Sequence, residues 1–131
     1  MDTISAQIDT RLYRTEVTSA SGNILISDEP QILGGKNLGL NPTELLAASL
    51  ASCTVITLRM YINRKEWDVS EINVKIDFER DSERNVSVFT RKIEVIGEVD
   101  EVQRQRLETI ANSCPIHKTL MHSIEIQTTL I

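Results

Sequence analysis

The sequence predicts a single α+β domain, spanning residues 1–131, with mostly antiparallel strands around one long apolar helix. Three observations predict this fold class. The chain has 131 residues and 40% apolar content, which is enough for one core but not for two. One helical stretch is apolar on nearly all sides, and segments of alternating apolar and polar residues lie before and after it. Since strands and helices come in runs rather than in strict alternation, antiparallel pairing is expected.

The first part of the chain predicts a β-hairpin or meander. Ile4, Ala6 and Ile8 alternate with polar neighbours, and the turn-forming residues 19–23 precede a short apolar run at 24–26. The glycine-rich residues 34–39 match phosphate-binding loops poorly, so we interpret them as a connection between sheet and helix.

A long helix is predicted to begin at Asn41 and Pro42 and to end near Lys65. Asn41 can cap free backbone N–H groups, and Pro42 suits the first helical turn. Apolar residues recur at helical spacing on one side, and the opposite side is apolar too, so we expect burial on most sides. The first side carries Leu46, Leu50, Cys53, Ile56 and Met60, and the other carries Leu45, Ala47, Ala48, Val55 and Leu58.

The second half predicts two strands, an amphipathic helix and a closing strand. Residues 72–78 alternate cleanly, residues 89–96 less regularly, and the polar residues 79–85 would join them as a hairpin. Asp100 and Glu101 open a helix with apolar residues along one face. Residues 123–130 alternate again and are predicted to form the last strand.

Composition and charge exclude several functions. The net charge of -5, the pI near 5.0 and the aromatic content of 4% argue against a nucleic-acid partner, which would need clustered Lys and Arg or stacking side chains. The N-terminal residues lack the organisation of a secretory signal. Polar residues interrupt the apolar stretch 45–62, which argues against a membrane span. We therefore expect a cytoplasmic protein.

The two cysteines are the chemically distinctive residues. Because the chain shows no export signal, the cysteines are not expected to form a structural disulfide. A closed zinc site needs four ligands from a chain with only two cysteines and two histidines, so no metal is expected. Both lie on apolar helix faces, as inert core thiols also do. However, Pro115 after Cys114 indicates that a helix begins there, which favours a thiolate. His117 could add a second stabilising charge or be structural.

Two segments around these cysteines resemble the motifs of the OsmC/Ohr family. Residues 34–54, with Asn-Pro-Thr-Glu-Leu-Leu leading through an alanine-rich run to Cys53, resemble its helix motif, and residues 111–120, with Cys114 before proline, resemble its second motif. The resemblance implies an intertwined homodimer with two long helices in the middle. It also implies a cysteine peroxidase without cofactor, metal or flavin, in which Cys53 is the peroxidatic thiol and Cys114 the resolving thiol. The partners would be a hydroperoxide and a dithiol reductant.

The helix start departs from that family pattern. Where the best-known members have a functional glutamate directly after the proline, this chain has Thr43, and Glu44 follows one residue later. At about 1.5 Å rise per residue, Glu44 lies roughly 13 Å from Cys53 along the helix, so it cannot touch that thiol on its own helix. It could act through an arginine or from a partner chain, or it could be a first-turn acid that complements the helix dipole.

The basic residue that the resemblance implies has three candidates. Arg11, Arg14 and Lys36 lie in the N-terminal strand region or the loop before the helix. Arg14 is preferred, and Lys36 is the poorer substitute because an ammonium lacks a planar fork of donors.

Three hypotheses of function follow. The first is a thiol peroxidase acting on organic hydroperoxides, and less well on hydrogen peroxide. The second is a thiol-transfer or binding module with the same fold and little peroxidase activity, which the altered helix start would favour. The third is a structural protein with inert buried thiols.

Overall fold

The structure, a computed structural model, describes residues 1–131. It contains two compact units, Met1–Leu46 and Ala47–Ile131, which are described one after the other. The predicted α+β fold with antiparallel sheets and a long central helix is confirmed. That the chain forms a single domain stays a prediction.

The first unit holds a three-stranded antiparallel meander. Strands β1 (Ile4–Ile8), β2 (Thr15–Ser19) and β3 (Ile24–Ser27) pair in the order β1-β2-β3. A tight turn, in which the N–H of Gly22 donates to the carbonyl of Ser19 at 3.0 Å, connects β2 to β3. The predicted hairpin or meander is therefore confirmed, and its turn falls where the turn-forming residues predicted it.

A buried carboxylate organises the loops around this sheet. Asp28 accepts the backbone N–H groups of Tyr13 at 3.1 Å and Glu29 at 2.8 Å on Oδ1, and those of Lys36 and Leu38 at 3.2 Å on Oδ2. Burial disfavours its charge, but these four donors outweigh burial and hold the pKa of Asp28 below its ordinary value. One side chain thus fixes two loops that are distant in sequence.

The glycines of the connecting loop are required by close backbone approaches. A side chain at Gly35 would collide with the carbonyl of Glu29, and one at Gly39 with the carbonyl of Ile26. A short 3₁₀ turn, Gln31–Leu33, begins this loop. The glycine-rich segment is therefore a tightly packed connection, as its sequence predicted.

The long helix α1 spans Pro42–Lys65, within the predicted bounds. Its first turn is closed by a reciprocal pair of hydrogen bonds: the N–H of Glu44 donates to Oδ1 of Asn41 at 2.8 Å, and the N–H of Asn41 donates to Oε1 of Glu44 at 2.9 Å. This is a capping box, which satisfies N–H groups that a helix start leaves free.

The second unit contains a hairpin and two shorter helices. Strands β4 (Val69–Asp81) and β5 (Val86–Gly97) pair antiparallel and are longer than the alternating segments predicted. Helix α2 (Glu101–Ala111) begins with a capping box made by Asp100, and helix α3 (Pro115–Met121) begins directly after Cys114.

The core of the second unit lies between α1, α2 and the inner face of the hairpin. Leu58 and Ile62 of α1 and Ala111 of α2 are 0% exposed. Burial of these side chains is the main stabilising contribution in this unit. The remaining buried members of the core are Tyr61, Val69 and Leu107. The half-buried residues that pack against it are Trp67, Ile72, Ile93, Val95, Val99 and Ile110.

The prediction that α1 is buried on most sides is wrong for the single chain. Ile56 is 50% and Met60 67% exposed, because the hairpin and α2 cover only one face of the helix. By length and composition alone α1 could cross a membrane. This is weak evidence, since the core helix of a soluble protein passes the same test.

The predicted closing strand at residues 123–130 is also wrong for the single chain. These residues form no helix or strand, and Ile124 is 64% and Leu130 98% exposed. A strand needs a neighbour to satisfy its backbone groups, and no strand of the chain pairs with this segment. An alternating pattern predicts the extended shape but cannot supply the partner.

Candidate thiol site

Cys53 lies near the middle of α1, and its side chain is half-buried. Its Sγ lies 3.9 Å from Oγ1 of Thr57, one turn further along the helix. The thiol is free, so it is available for chemistry at sulfur. A partly exposed position is what a reactive cysteine needs, whereas structural thiols are fully enclosed.

Cys114 is a free thiol that caps the N-terminus of α3 and is 0% exposed. Its backbone is extended, with φ -65° and ψ 148°, and Pro115 occupies the first helical position, where its missing N–H costs nothing. The N–H of His117 donates to Sγ of Cys114 at 3.3 Å. The predicted break between two helices at this cysteine is therefore confirmed.

Arg91 joins three elements of the second unit through its guanidinium. Nη1 donates to Oγ1 of Thr54 on α1 at 3.1 Å, and Nη2 donates to Oδ1 of Asn112, directly after α2, at 2.8 Å. Nη2 also lies 3.2 Å from Nδ1 of His117 on α3. The planar fork of a guanidinium can serve several acceptors at once, which a lysine could not do.

These contacts connect the segments that carry the two cysteines. Thr54 directly follows Cys53, and His117 holds the sulfur of Cys114 through its backbone N–H. A single cation, Arg91, is thus bound to residues beside both thiols.

The surroundings of His117 favour its neutral form. Burial, and then the positive charge of Arg91, hold the pKa of His117 below its ordinary value. An uncharged ring can accept from Arg91 on Nδ1 and carries its proton on Nε2. Arg91 already supplies a positive charge at this position and disfavours a second one on His117, whose role in the site stays a prediction.

Sequence reasoning missed Arg91, although the sequence contains a signal for it. The side chains of β5 that face the core come from alternate positions, among them Ile93 and Val95, and Arg91 falls in the same phase. A charged residue at a core-facing position of a strand needs partners inside the protein. That mismatch with the alternating pattern was the available clue.

The basic candidates Arg11 and Arg14 lie in the first unit. Arg11 forms an ion pair with Asp9 at 2.9 Å, which lowers the pKa of Asp9 through the hydrogen bonds from Arg11. Arg14 is half-buried just before β2 and lines a polar crevice together with Asp9 and Glu16. Arg11 therefore has a carboxylate partner of its own, and Arg14 lies among acidic side chains.

The remaining predicted residues of the first unit are Lys36, Thr43 and Glu44. The side chain of Lys36 is exposed, while its N–H is bound by Asp28. Thr43 is exposed in the first turn of α1. The carboxylate of Glu44 is used in the capping box, in agreement with the structural alternative for this residue.

No group of three or more His, Cys, Asp or Glu side chains is close enough together to hold a metal ion. The site of the second unit combines two free thiols with one guanidinium and one imidazole.

The fold and this site together define a small α+β protein with two free cysteines on separate helical segments. The sequence pattern of the OsmC-like protein family matches residues 34–129, which include both cysteines. The chain therefore belongs to the OsmC-like protein family. None of the curated proteins compared with it matches significantly.

Solved structures give the same fold. A protein from Psychrobacter arcticus 273-4, associated by name with osmotic stress and a detoxification response, is 26% identical, with 91% of this chain and 88% of that chain covered and a TM-score of 0.78. The OsmC-like protein from Mycoplasma pneumoniae is 16% identical, with coverages of 92% and 87% and a TM-score of 0.77. The organic hydroperoxide resistance protein OhrB of Bacillus subtilis is 21% identical, with coverages of 91% and 89% and a TM-score of 0.60.

Proposed function

We propose that this protein is a cysteine-based peroxidase that reduces organic hydroperoxides through Cys53 and Cys114. Membership of the OsmC-like family and the likeness to organic hydroperoxide resistance proteins support a peroxide-related redox role. The observation that carries the proposal is the pair of free thiols whose segments Arg91 joins. Cys53 is the thiol that meets peroxide, since it is the less buried of the two.

The chemistry proceeds in two steps. The thiolate of Cys53 attacks one peroxide oxygen, the O–O bond breaks, and the alcohol leaves after taking up a proton, which leaves a sulfenic acid on Cys53. The thiol of Cys114 then displaces that hydroxyl as water, and a disulfide forms. A dithiol reductant returns both cysteines to the thiol state.

The test is steady-state turnover of cumene hydroperoxide, tert-butyl hydroperoxide and hydrogen peroxide with a dithiol reductant. Higher kcat/KM on the two organic peroxides is expected, because Ile56 lies one turn after Cys53 on α1, is 50% exposed and offers apolar surface to an organic group. Equal rates on both peroxide classes, or none on either, would contradict the proposal.

A second candidate is a thiol-transfer or binding module with little peroxidase activity. The carboxylate of Glu44 favours it, because one oxygen of this carboxylate caps its own helix and no cation is bound to it. The pH dependence of Cys53 alkylation separates the candidates. Rapid alkylation already at neutral pH is expected of a peroxidase, whereas an ordinary thiol reacts only as the pH approaches about 8.5.

The proposed partners are a second copy of the chain, a hydroperoxide and a dithiol reductant, in the cytoplasm. The homodimer is supported by the exposed apolar side of α1, where Ile56 and Met60 lie within two turns of Cys53. Large uncovered apolar surfaces on a folded chain mark interaction sites.

A further inference from the structure

We propose that Arg91 is the positioning residue of the disulfide-forming step, a role that rests on the proposed function. Its guanidinium holds the segment of Cys114 to the segment of Cys53, so that the second thiol attacks the first sulfur within one chain. The role differs from that of a thiolate-stabilising cation in the first step, because Arg91 hydrogen-bonds to neighbours of the cysteines and to neither sulfur.

The first support is the position of the acceptors. On the side of Cys53, Arg91 binds Thr54, whose side chain is 0% exposed and whose hydroxyl also donates to a carbonyl of its own helix at 2.7 Å. On the side of Cys114, it binds Asn112 and His117, which lie before and after the cysteine. The turn of Cys114 is therefore held at both its ends by one side chain.

The second support is the charge of the site. The acceptors on Thr54 and Asn112 are neutral, and the ion pairs of the chain are Arg11 with Asp9 and Arg84 with Asp81, so no carboxylate neutralises Arg91. Hydrogen bonds from a charged donor are stronger than those between neutral groups. Burying an arginine partly without a carboxylate partner costs free energy. The hydrogen bonds by which Arg91 holds two segments in place give a reason for this cost.

The third support is the requirement of the reaction. When Cys114 displaces hydroxide from the sulfenic acid of Cys53, an S–S bond forms, an S–O bond breaks, and the proton lost by Cys114 leaves with the hydroxide as water. Both thiols are free in the reduced protein, and the sulfur of Cys114 is fully buried. An intramolecular attack is fast only if the two groups are held near each other.

The experiment separates the two steps without peroxide. One equivalent of dithiodipyridine is added to the reduced protein: Cys53 takes one half of the reagent as a mixed disulfide and releases one thiopyridone, and Cys114 then displaces the second thiopyridone as the protein disulfide forms. Two phases of absorbance are expected, and Cys114→Ser should lose the second phase.

Arg91→Met is the central variant, and Lys92→Met is its matched control, because Lys92 is the next residue on β5 and is exposed. In Arg91→Met the first phase should keep its rate while the second slows roughly tenfold or more, the scale on which lost positioning acts. Lys92→Met should keep both rates. Arg91→Lys should recover only part of the second rate, since an ammonium cannot span the acceptors.

A general structural defect is excluded by two further measurements. Guanidinium chloride at millimolar concentration should restore part of the second phase of Arg91→Met without changing Lys92→Met. If Arg91→Met does not fold, Thr54→Val removes the contact to α1 alone and should slow the second phase in the same way.

The outcomes divide as follows. Equal second-phase rates in Arg91→Met and Lys92→Met, or a parallel slowing of both phases, would overturn the role of Arg91. Absence of peroxide turnover in wild type together with an Arg91-dependent second phase would overturn the peroxidase and leave Arg91 as the positioning residue of the dithiol.

Discussion

Nδ1 of His117 lies 3.2 Å from Nη2 of Arg91, on the helix that Cys114 caps. This contact is attractive only while the imidazole is uncharged, and burial together with the charge of Arg91 lowers the pKa of His117 in that direction.

The first prediction concerns the titration of His117. In wild type the imidazole should titrate below the ordinary histidine pKa of about 6.5, and in Arg91→Met it should titrate at higher pH, because one of the two causes of the lowered pKa is removed. The measurement is an NMR titration of the imidazole signals.

The same shift has a consequence for stability. A histidine with a lowered pKa in the folded state contributes stability that is complete above its unfolded pKa of about 6.5 and is lost as the pH falls from there through the folded pKa. Urea unfolding of wild type should therefore show a fall in stability over this range that His117→Gln lacks. Identical pH profiles for the two proteins would contradict the assignment.

The second prediction concerns Asp28. In Asp28→Asn one oxygen becomes an NH2 group that donates, so two of the four bound N–H groups lose their acceptor and the melting temperature should fall. Since the folded pKa of Asp28 is lowered, its contribution is present above the unfolded pKa and is lost as the pH falls through the folded value. The difference in melting temperature from wild type should thus shrink in acid, and Asp77→Asn, a change at an exposed position of β4, is the control.

The local elements could be predicted from the sequence, while the contacts made across the chain could not. Asn41 and Pro42 placed the start of α1 correctly, because capping depends on neighbours in sequence. The prediction of a strand at residues 123–130 failed because strand pairing depends on a distant partner, which periodicity does not reveal. The bonds of Arg91 reach positions 54, 112 and 117, and no local pattern specifies such a set.

The third prediction tests the core of the second unit. Leu58 is 0% exposed and belongs to the cluster between α1, α2 and the hairpin. Leu58→Ala should lower the free energy of unfolding by about 2–5 kcal/mol, because it removes buried methyl groups and leaves a cavity. Ile96→Ala, at an exposed position of β5, should change it by less than about 0.5 kcal/mol. Denaturant unfolding measures both, and a similar loss in the two variants would contradict the assigned core.

The fourth prediction concerns the division of labour between the thiols. Cys53→Ser should abolish peroxide consumption, because the first sulfenic acid can no longer form. Cys114→Ser should keep the first attack but lose turnover, and excess peroxide should drive Cys53 to sulfinic and sulfonic forms. Wild type with one equivalent of peroxide should instead lose two hydrogens by mass. Sustained turnover in Cys114→Ser with Cys53 still reduced would show that the roles are wrongly assigned.

The fifth prediction concerns the proposed homodimer. Met60 is 67% exposed on the uncovered side of α1, so Met60→Lys should weaken association of two chains while leaving the fold intact. Val102→Lys, at an exposed position of α2, is the control and should associate as wild type does. Analytical ultracentrifugation measures both, and a wild-type monomer at micromolar concentration would refute the dimer.

Asp28 holds the loop before α1 through backbone N–H groups alone. The conformation of this loop therefore does not depend on the identity of most of its side chains. Positions 36 and 38 donate only their N–H groups, so variants with other residues there are expected to keep the loop conformation. Positions 35 and 39 admit no side chain at all. A library randomised at 36 and 38, with proline left out because it lacks the N–H, should therefore consist mostly of folded proteins that differ in surface chemistry.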